Sequence, residues 1–176
     1  MSQNKTYQAG RHFLQIPGPS NVPDRVLRAI AQPTIDHRGP EFATLTLSIL
    51  DKLRLVFNTE SPIFIYPASG TGGWESSLLN TLCLGDKVLA FETGHFATLW
   101  KNVAVKLGLE VIWVEGDWRQ GIDAAVVEHH LKEDQSHEIK AVLAVHTETS
   151  SGATSDIAKI RKAIDAAKHP ALYMVD

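Results

Sequence analysis

The sequence predicts an α/β protein with three layers, in which a mostly parallel β-sheet is flanked by helices. Short apolar runs with the length of buried strands alternate with amphipathic stretches that have helical spacing. Such alternation is typical of parallel sheets, because parallel neighbours must be joined by a crossover connection. A glycine-rich turn, S-G-T-G-G at residues 69–73, separates the first apolar run from the helix that follows it.

The chain is predicted to form an N-terminal arm followed by a single large domain. Residues 1–20 are polar at first and end in a rigid proline-rich turn, so we expect an N-terminal arm there. Residues 21–176 are expected to form one domain, since a chain of 176 residues can bury one good core.

Two helices are expected before the first strand. Ser20 or Asn21 is a candidate cap for a helix that has Pro23 in its first turn. Pro40 is expected to open a second helix, which continues to Phe57 with an apolar face.

The remainder of the chain is predicted to alternate strands and helices. The apolar run at 63–66 is expected to form a buried strand, and the next helix is expected to start near Gly72 or Gly73. Asp123 and Gly108 are candidate helix caps. The other strands are expected at residues 87–92, 110–114, 139–145 and 171–175, and the other helices at 95–107, 124–132 and 156–168.

Composition and charge exclude several classes of protein. A content of 44% hydrophobic and 21% charged residues is typical of globular chains and excludes a disordered or fibrous one. The net charge of −3 gives no basic surface for nucleic acid or an anionic membrane, and no apolar run has the length of a membrane span. Without a secretory signal, we expect a cytoplasmic protein. The single cysteine, Cys83, is expected to be a thiol of the apolar core.

The glycine-rich turn has the features of an anion site. The first N–H groups of a helix have no partner within the helix, and the helix dipole favours negative charge at that end. Glycines let a phosphate approach the backbone, and the Thr71 hydroxyl can add a hydrogen bond. We therefore expect a phosphate-bearing ligand at residues 70–73, with a tight corner that binds nothing as the alternative. Glu75 breaks the dinucleotide pattern G-x-G-x-x-G, and the lysine of a P-loop is absent.

Polar residues also follow the other predicted strands. Ligands of parallel α/β sheets bind at the carboxyl ends of the strands. These ends carry T-G-H-F at residues 93–96, H-T-E-T-S at 146–150, and Asp176. Together with the glycine-rich turn, they supply an anion-binding turn, an aromatic ring, hydroxyl groups and a carboxylate. His95 and His146 lack a partner at metal-ligand spacing, so no metal site is expected.

Several short motifs follow one another in a recognisable order over almost the whole chain. They are P-G-P-S-N-V-P at 17–23, D-H-R-G-P at 36–40, S-G-T-G-G-W-E at 69–75, H-T-E-T-S-S-G at 146–152 and H-P-A-L-Y-M-V-D at 169–176. In this order and spacing the chain resembles the class V, fold-type I pyridoxal-phosphate (PLP) aminotransferases. The similarity is greatest to the serine–glyoxylate and alanine–glyoxylate group.

The resemblance implies a PLP site that contains the residues found above. The turn Gly70-Thr71-Gly72-Gly73 would hold the cofactor phosphate, and Phe96 would stack on the pyridine face, where the family often has tryptophan. Thr149 would hydrogen-bond near the phenolic oxygen. Asp176 would pair with the ring nitrogen, and a nearby carboxylate favours the protonated ring, which is the better electron sink. Without the resemblance, Thr149 is interpreted as a turn residue, Phe96 as a core residue and Asp176 as a helix cap.

The same resemblance implies substrate-side residues and a longer protein. Gly18 and Arg38 are expected near the substrate pocket or the dimer interface, although a rigid turn and a surface arginine are simpler interpretations of them. The Schiff-base lysine of the family lies beyond the aspartate, and its substrate-binding arginine lies in a small C-terminal domain. We therefore expect this chain to be the N-terminal part of a longer protein and to be inactive by itself.

The implied function is transamination from L-serine or L-alanine to glyoxylate through PLP, which yields glycine and an oxo-acid. The expected partners are these small molecules and a second copy of the chain in a homodimer, without nucleic acid or membrane. Two alternatives stay open. One is another class V PLP enzyme, such as a desulfurase, lyase or hydrolase. The other is a non-catalytic truncated domain that dimerises or binds a phosphorylated ligand.

Overall fold

The computed structural model describes residue 10 and residues 13–176, and the chain divides into two compact units. The first unit ends at Ile65, and the second is Tyr66–Asp176. Most of the arm predicted at residues 1–20 lies outside the described residues. The arm and its boundary with the domain therefore stay predictions.

The first unit begins with a short helix, α1 (Asp24–Ile30). Pro23 occupies its N-cap position, and no side chain caps it. The prediction that Ser20 or Asn21 caps this helix is wrong. The side-chain oxygen of Asn21 instead accepts a hydrogen bond from the Leu14 N–H at 2.9 Å, across the proline-rich turn.

The second helix of this unit, α2 (Pro40–Phe57), begins at the predicted proline. Proline is suited to that position because the first helical residue needs no N–H donor. Asn58 ends the helix in the left-handed conformation, with a φ of 48°. Neither α1 nor α2 has a buried residue. Within the predicted apolar face of α2, Phe42, Leu45 and Ile49 are 39 to 49% exposed, and Val56 is 75% exposed.

The second unit is built on one parallel sheet. Its strands are β1 (Lys87–Phe91), β2 (Glu110–Val114), β3 (Ile139–Ala144) and β4 (Leu172–Val175). They lie in the order β2-β1-β3-β4, and every neighbouring pair is parallel. The helices of this unit are α3 (Gly70–Thr81), α4 (His95–Lys106), α5 (Ala124–Glu133) and α6 (Ile157–Ala166). The predicted parallel α/β fold is confirmed.

Helices cover both faces of this sheet, as the three-layer prediction requires. Successive side chains of a strand point to opposite faces, so the residues of β1 alternate between two cores. Val88 and Ala90 lie in the core under α3 and α4, whereas Leu89 and Phe91 lie in the core under α5 and α6. Each of these four side chains is at most 6% exposed.

Local signals begin and end the helices as the sequence predicts. Asp123 accepts a hydrogen bond from the Ala125 N–H at 2.9 Å where α5 begins. Asp156 does the same for the Lys159 N–H at 3.0 Å where α6 begins. Gly108 follows α4 with a φ of 80°, a conformation that glycine adopts without steric cost.

The predicted strand at 63–66 is absent. These residues have no strand structure, and Phe64 and Ile65 are 74% and 62% exposed. An apolar run becomes a strand only where a neighbouring strand accepts its backbone hydrogen bonds. Hydrophobic periodicity does not reveal whether such a neighbour exists.

The bounds of α3 also differ from the prediction. The helix begins at Gly70 rather than at Gly72 or Gly73, and it ends at Thr81. Cys83 therefore lies beyond the helix and is exposed, so its prediction as a core thiol is wrong. The backbone N–H of Cys83 donates to the Asp86 carboxylate at 2.7 Å, within the turn that leads to β1.

Candidate active site

The topology creates a crevice at the carboxyl edge of the sheet. β1 connects through α4 to β2 on one side, whereas its other neighbour, β3, connects through α6 to β4 on the opposite side. These two helices cover opposite faces of the sheet. The loops that leave β1 and β3 therefore diverge, and ligands of open parallel sheets bind at such a switch point.

The first wall of the crevice is the segment that leads from β1 into α4. Phe96 is the second residue of α4. Its ring is half-buried, packs against the core under α3 and α4, and meets the His95 ring edge-on at 5.6 Å. The structure thus places an aromatic ring at the start of α4, and the stacking role predicted for Phe96 stays a prediction.

The second wall is the loop that follows β3. An antiparallel bridge between Thr147 and Thr154 closes this loop into a short hairpin. The Ser155 hydroxyl fixes the base of the hairpin by donating to the Val145 carbonyl at 2.8 Å. Thr149 lies within the hairpin and is exposed, and its side chain makes no hydrogen bond to the described residues. Its hydroxyl is therefore available to a ligand.

Asp176 lies next to this hairpin, at the carboxyl end of β4. Its N–H donates to the Ala144 carbonyl at 3.0 Å, and its own carbonyl accepts from the His146 N–H at 2.9 Å. These two bonds extend the pairing of β3 with β4 to the last residue. They hold the Asp176 backbone at the crevice, and the residue is exposed.

The start of α3 lies at the same edge of the sheet. α3 has 12 residues and β1 has 5, so each spans about 17 Å. Because a short turn joins the end of α3 to the start of β1, the two run antiparallel and the first turn of α3 comes level with the end of β1. The rings of Trp74 and Trp100, stacked with centroids 5.8 Å apart, hold α3 against α4.

The first turn of α3 is open to an anion. Ser69 occupies the N-cap without a side-chain hydrogen bond, and no side chain of the described residues accepts from the first N–H groups. A Cβ added at Gly72 would lie 2.5 Å from the Cβ of Ala68, so packing requires that glycine. A Cβ at Gly70 or Gly73 would meet nothing within 4 Å. These two glycines leave the backbone accessible, which fits the approach of a phosphate.

One residue of the site was not predicted from the sequence. Glu148 lies in the hydroxyl-rich hairpin but is fully buried, at 0% exposed. Its carboxylate accepts hydrogen bonds from the N–H groups of Phe96 at 3.2 Å and Ala97 at 3.0 Å. The available signal was indirect. Gly94, which occupies the N-cap of α4, has no side chain to cap that helix, so its first N–H groups need acceptors from another segment or from water.

Gly18 and Arg38 belong to the first unit, where both are exposed. Gly18 is joined to Pro19 by a cis peptide bond. The backbone N–H of Arg38 donates to the Asp36 carboxylate at 2.9 Å within a tight turn. Their roles at a substrate pocket or dimer interface stay predictions.

Two surface cavities lie near the crevice without coinciding with it. One of about 280 Å³ is at the carboxyl ends of β1 and β2 and is lined in part by Thr93. Another of about 390 Å³ lies between α3 and α4 and is lined in part by Thr71. Neither is lined by Phe96, Thr149 or Asp176. Neither of these two cavities therefore encloses the candidate site, whose groups lie on loops at the carboxyl edge of the sheet.

Metal and membrane features were also sought in the part of the chain that the structure describes. No group of three or more histidine, cysteine, aspartate or glutamate residues there could hold a metal ion. His95 and His146 are both exposed. None of the described helices combines the length and the apolar character that crossing a membrane requires.

Comparison with known proteins identifies the family. Residues 12–176 match the sequence profile of the aminotransferase class-V family. The chain belongs to the class V aminotransferases. A serine–glyoxylate aminotransferase from Methylorubrum extorquens is 51% identical over 172 residues, which are 97% of this chain and 43% of that protein. An L-aspartate–glyoxylate aminotransferase from Paracoccus denitrificans is 46% identical over 162 residues, which are 92% of this chain and 41% of that protein.

A solved structure supports the same fold for this class V chain. An aspartate aminotransferase of subgroup IV from Thermus thermophilus superposes with a TM-score of 0.85 at 27% identity. The superposition covers 94% of this chain and 45% of that chain. The predicted resemblance is confirmed, and the chain spans less than half of the length of each of these relatives.

Proposed function

We propose that the whole protein that contains this chain is a PLP-dependent transaminase of the serine–glyoxylate type. It would move an amino group from L-serine or L-alanine to glyoxylate, which yields glycine and an oxo-acid. One observation carries the proposal: an open helix start, an available hydroxyl and an exposed carboxylate meet at one sheet edge of a class V chain. These groups match the phosphate, the phenolic oxygen and the ring nitrogen of PLP.

The phosphate would bind at the first turn of α3. Gly70 and Gly73 leave the backbone open there, so that phosphate oxygens can reach the N–H groups. The Thr71 hydroxyl would add a donor. The dipole of α3 favours an anion, whereas the start of α4 is already occupied by the Glu148 carboxylate. Of these two helix starts, α3 is the open one.

The ring of the cofactor would be held by three side chains of the crevice. Phe96 would stack on the pyridine face, Thr149 would hydrogen-bond the phenolic oxygen, and Asp176 would hold a proton at the ring nitrogen. Bound in this way, PLP supplies an electron sink for breaking bonds at the α-carbon of the amino acid. A nearby carboxylate raises the pKa of a pyridine nitrogen, so Asp176 would keep that sink effective.

The names of the two relatives support the proposed acceptor more strongly than the proposed donor. Glyoxylate appears in the names of both relatives, whereas one name gives serine and the other gives aspartate as the donor. We therefore propose glyoxylate as the acceptor and L-serine as the first donor to test. Arg38 is a candidate for binding a substrate carboxylate because a guanidinium can donate two parallel hydrogen bonds. Gly18 is a candidate neighbour of the substrate.

The proposal is tested with the purified whole protein. We expect a visible absorption band when PLP is added, and glycine formation from glyoxylate with L-serine or L-alanine; L-aspartate and L-cysteine are compared as donors. Absence of the band would refute the cofactor assignment. A band with sulfide production from L-cysteine and no glycine would indicate another class V enzyme.

A matched pair of variants locates the site within that protein. Thr149→Val and Thr154→Val make the same change in the same hairpin, and both positions are exposed. Thr149→Val should weaken PLP binding several-fold because it removes one hydrogen bond, worth about 1 kcal/mol, to the ring oxygen. Thr154→Val should leave binding unchanged. Equal effects of the two changes would contradict the role of Thr149.

We also propose that the whole protein is a homodimer. The apolar residues Phe42, Leu45 and Ile49 of α2 are 39 to 49% exposed, and exposed apolar patches commonly mark interaction surfaces. Light scattering of the whole protein with and without PLP measures the assembly. A monomer under both conditions would refute this proposal and leave the cofactor assignment unaffected.

A further inference from the structure

The Glu148 carboxylate is enclosed and fully hydrogen-bonded. Oε1 accepts from the Phe96 N–H at 3.2 Å, from the Ser150 N–H at 3.0 Å and from the Ser150 hydroxyl at 2.7 Å. Oε2 accepts from the Ala97 N–H at 3.0 Å. A buried carboxylate is tolerated only when its oxygens have such partners, so this arrangement depends on all four donors.

These bonds cap α4 from outside the helix. The N-cap residue, Gly94, has no side chain, so α4 cannot cap itself. The His95 N–H donates to the Ser150 hydroxyl at 2.9 Å, while the next two N–H groups donate to Glu148. The acceptors lie 51 to 55 residues further along the chain. The loop after β3 thus supplies the cap for the helix after β1.

The two walls of the crevice approach each other closely at this contact. A Cβ added at Gly94 would lie 2.4 Å from Cγ and 2.6 Å from Cδ of Glu148. The Glu148 side chain therefore fills the space that any side chain at position 94 would need. The close approach leaves little freedom for one wall to move relative to the other.

The electrostatics favour an ionised carboxylate at this position. Burial alone would raise the pKa of Glu148, but the hydrogen bonds from Ser150, Ala97 and Phe96 together hold it below the ordinary glutamate value. The anion also lies at the positive end of the α4 dipole. At neutral pH the charge that links the two walls is therefore present.

We propose that Glu148 is a positioning residue of the cofactor site, which fixes the Phe96 ring on one wall relative to the Thr149 hydroxyl on the other. The inference rests on the proposed function, which gives Phe96 and Thr149 their contacts with PLP. Glu148 is buried and acts through these neighbours. Because both groups are held before the cofactor arrives, less ordering is needed on binding.

The first test uses the whole protein without PLP. Glu148→Gln keeps the size of the side chain but replaces one acceptor oxygen by an NH₂ group. We expect faster amide hydrogen exchange at Phe96, Ala97 and Ser150, whose acceptor is weakened. Glu133→Gln makes the same chemical change at an exposed position of α5 and should leave these rates unchanged.

The second test measures PLP itself. The affinity of Glu148→Gln for PLP should fall about 10- to 100-fold, since hydrogen bonds to charged groups are the stronger kind. At saturating PLP the circular dichroism of the bound cofactor should also change, because the Phe96 ring shifts against it. Ile164→Val reduces packing in the core on the opposite face of the sheet and controls for a general loss of stability.

The outcomes separate this inference from the proposed function. Unchanged affinity and circular dichroism in Glu148→Gln, or an equal loss in Ile164→Val, would refute the positioning role while PLP binding by the wild type stands. If the wild type binds no PLP, the proposed function fails and the positioning role fails with it. The exchange rates of Phe96 and Ala97 then still report whether Glu148 caps α4.

Discussion

Replacing Gly72 or Gly73 by alanine should change the stability of the protein in opposite directions. Both residues lie within α3, and alanine is favoured over glycine inside a helix by about 0.5–1 kcal/mol. At Gly73 the new methyl group meets nothing within 4 Å, so Gly73→Ala should keep that gain. At Gly72 the new Cβ would lie 2.5 Å from the Ala68 Cβ. Such overpacking costs about 1–3 kcal/mol, so Gly72→Ala should be destabilised by up to about 2 kcal/mol.

PLP binding should respond differently from stability. The methyl group in Gly73→Ala would stand where the phosphate approaches the backbone. A steric cost of about 1–3 kcal/mol corresponds to an affinity loss of about 5- to 150-fold. Gly73→Ala should therefore be more stable without PLP and yet bind it more weakly, a combination that general damage to the fold does not produce.

Thermal unfolding of the cofactor-free whole protein and a PLP titration followed by absorbance measure these two effects. Combining Gly72→Ala with Ala68→Gly removes the opposing methyl group and should restore most of the lost stability. Failure of that rescue would refute the packing explanation for Gly72. Wild-type affinity in Gly73→Ala would show that the phosphate does not bind at the start of α3.

Three further predictions concern ionisable groups. Asp176→Asn should retain PLP but lower the transamination kcat about tenfold or more, measured by steady-state kinetics beside a PLP titration, because a neutral amide does not favour the protonated ring. The pKa of Glu148 is lowered, so the stability that its charged form contributes should be lost as pH falls below about 4.3. The free energy of unfolding, measured with urea at each pH, should therefore fall less steeply below that pH for Glu148→Gln than for Glu133→Gln. Burial raises the pKa of Tyr173 to about 12, so stability should fall as pH rises from about 10 toward 12, and Tyr173→Phe should remove this loss in alkaline unfolding.

Elements whose causes are local could be predicted from the sequence. The central strands β1 and β3 are near-continuous apolar runs, as expected for strands that are covered on both faces. The starts of α5 and α6 follow from Asp123 and Asp156, whose side chains cap N–H groups only two or three residues away. Such interactions depend on neighbours in the chain, so their pattern is visible without the fold.

The candidate site could be predicted in part, because Phe96, Thr149 and Asp176 follow strands of the parallel sheet and the turn at 69–73 leads into a helix. Thr149, Asp176 and the turn at 69–73 were found from their positions in the sequence, and the structure brings them to one edge. The predicted strand at 63–66 was wrong because a strand needs a partner, and an apolar run does not identify one.

The sequence by itself thus determined the class V membership and the alternation of strands and helices, and it predicted which residues would bind a phosphate and a ring. Only the tertiary structure decided the strand order β2-β1-β3-β4, which puts the diverging loops side by side. It also decided that Gly72 is required by packing while Gly73 is open, and that Glu148 caps a helix that begins 53 residues earlier at His95. These features depend on contacts between segments that are distant in the chain, and such contacts leave no periodic or local pattern in the sequence.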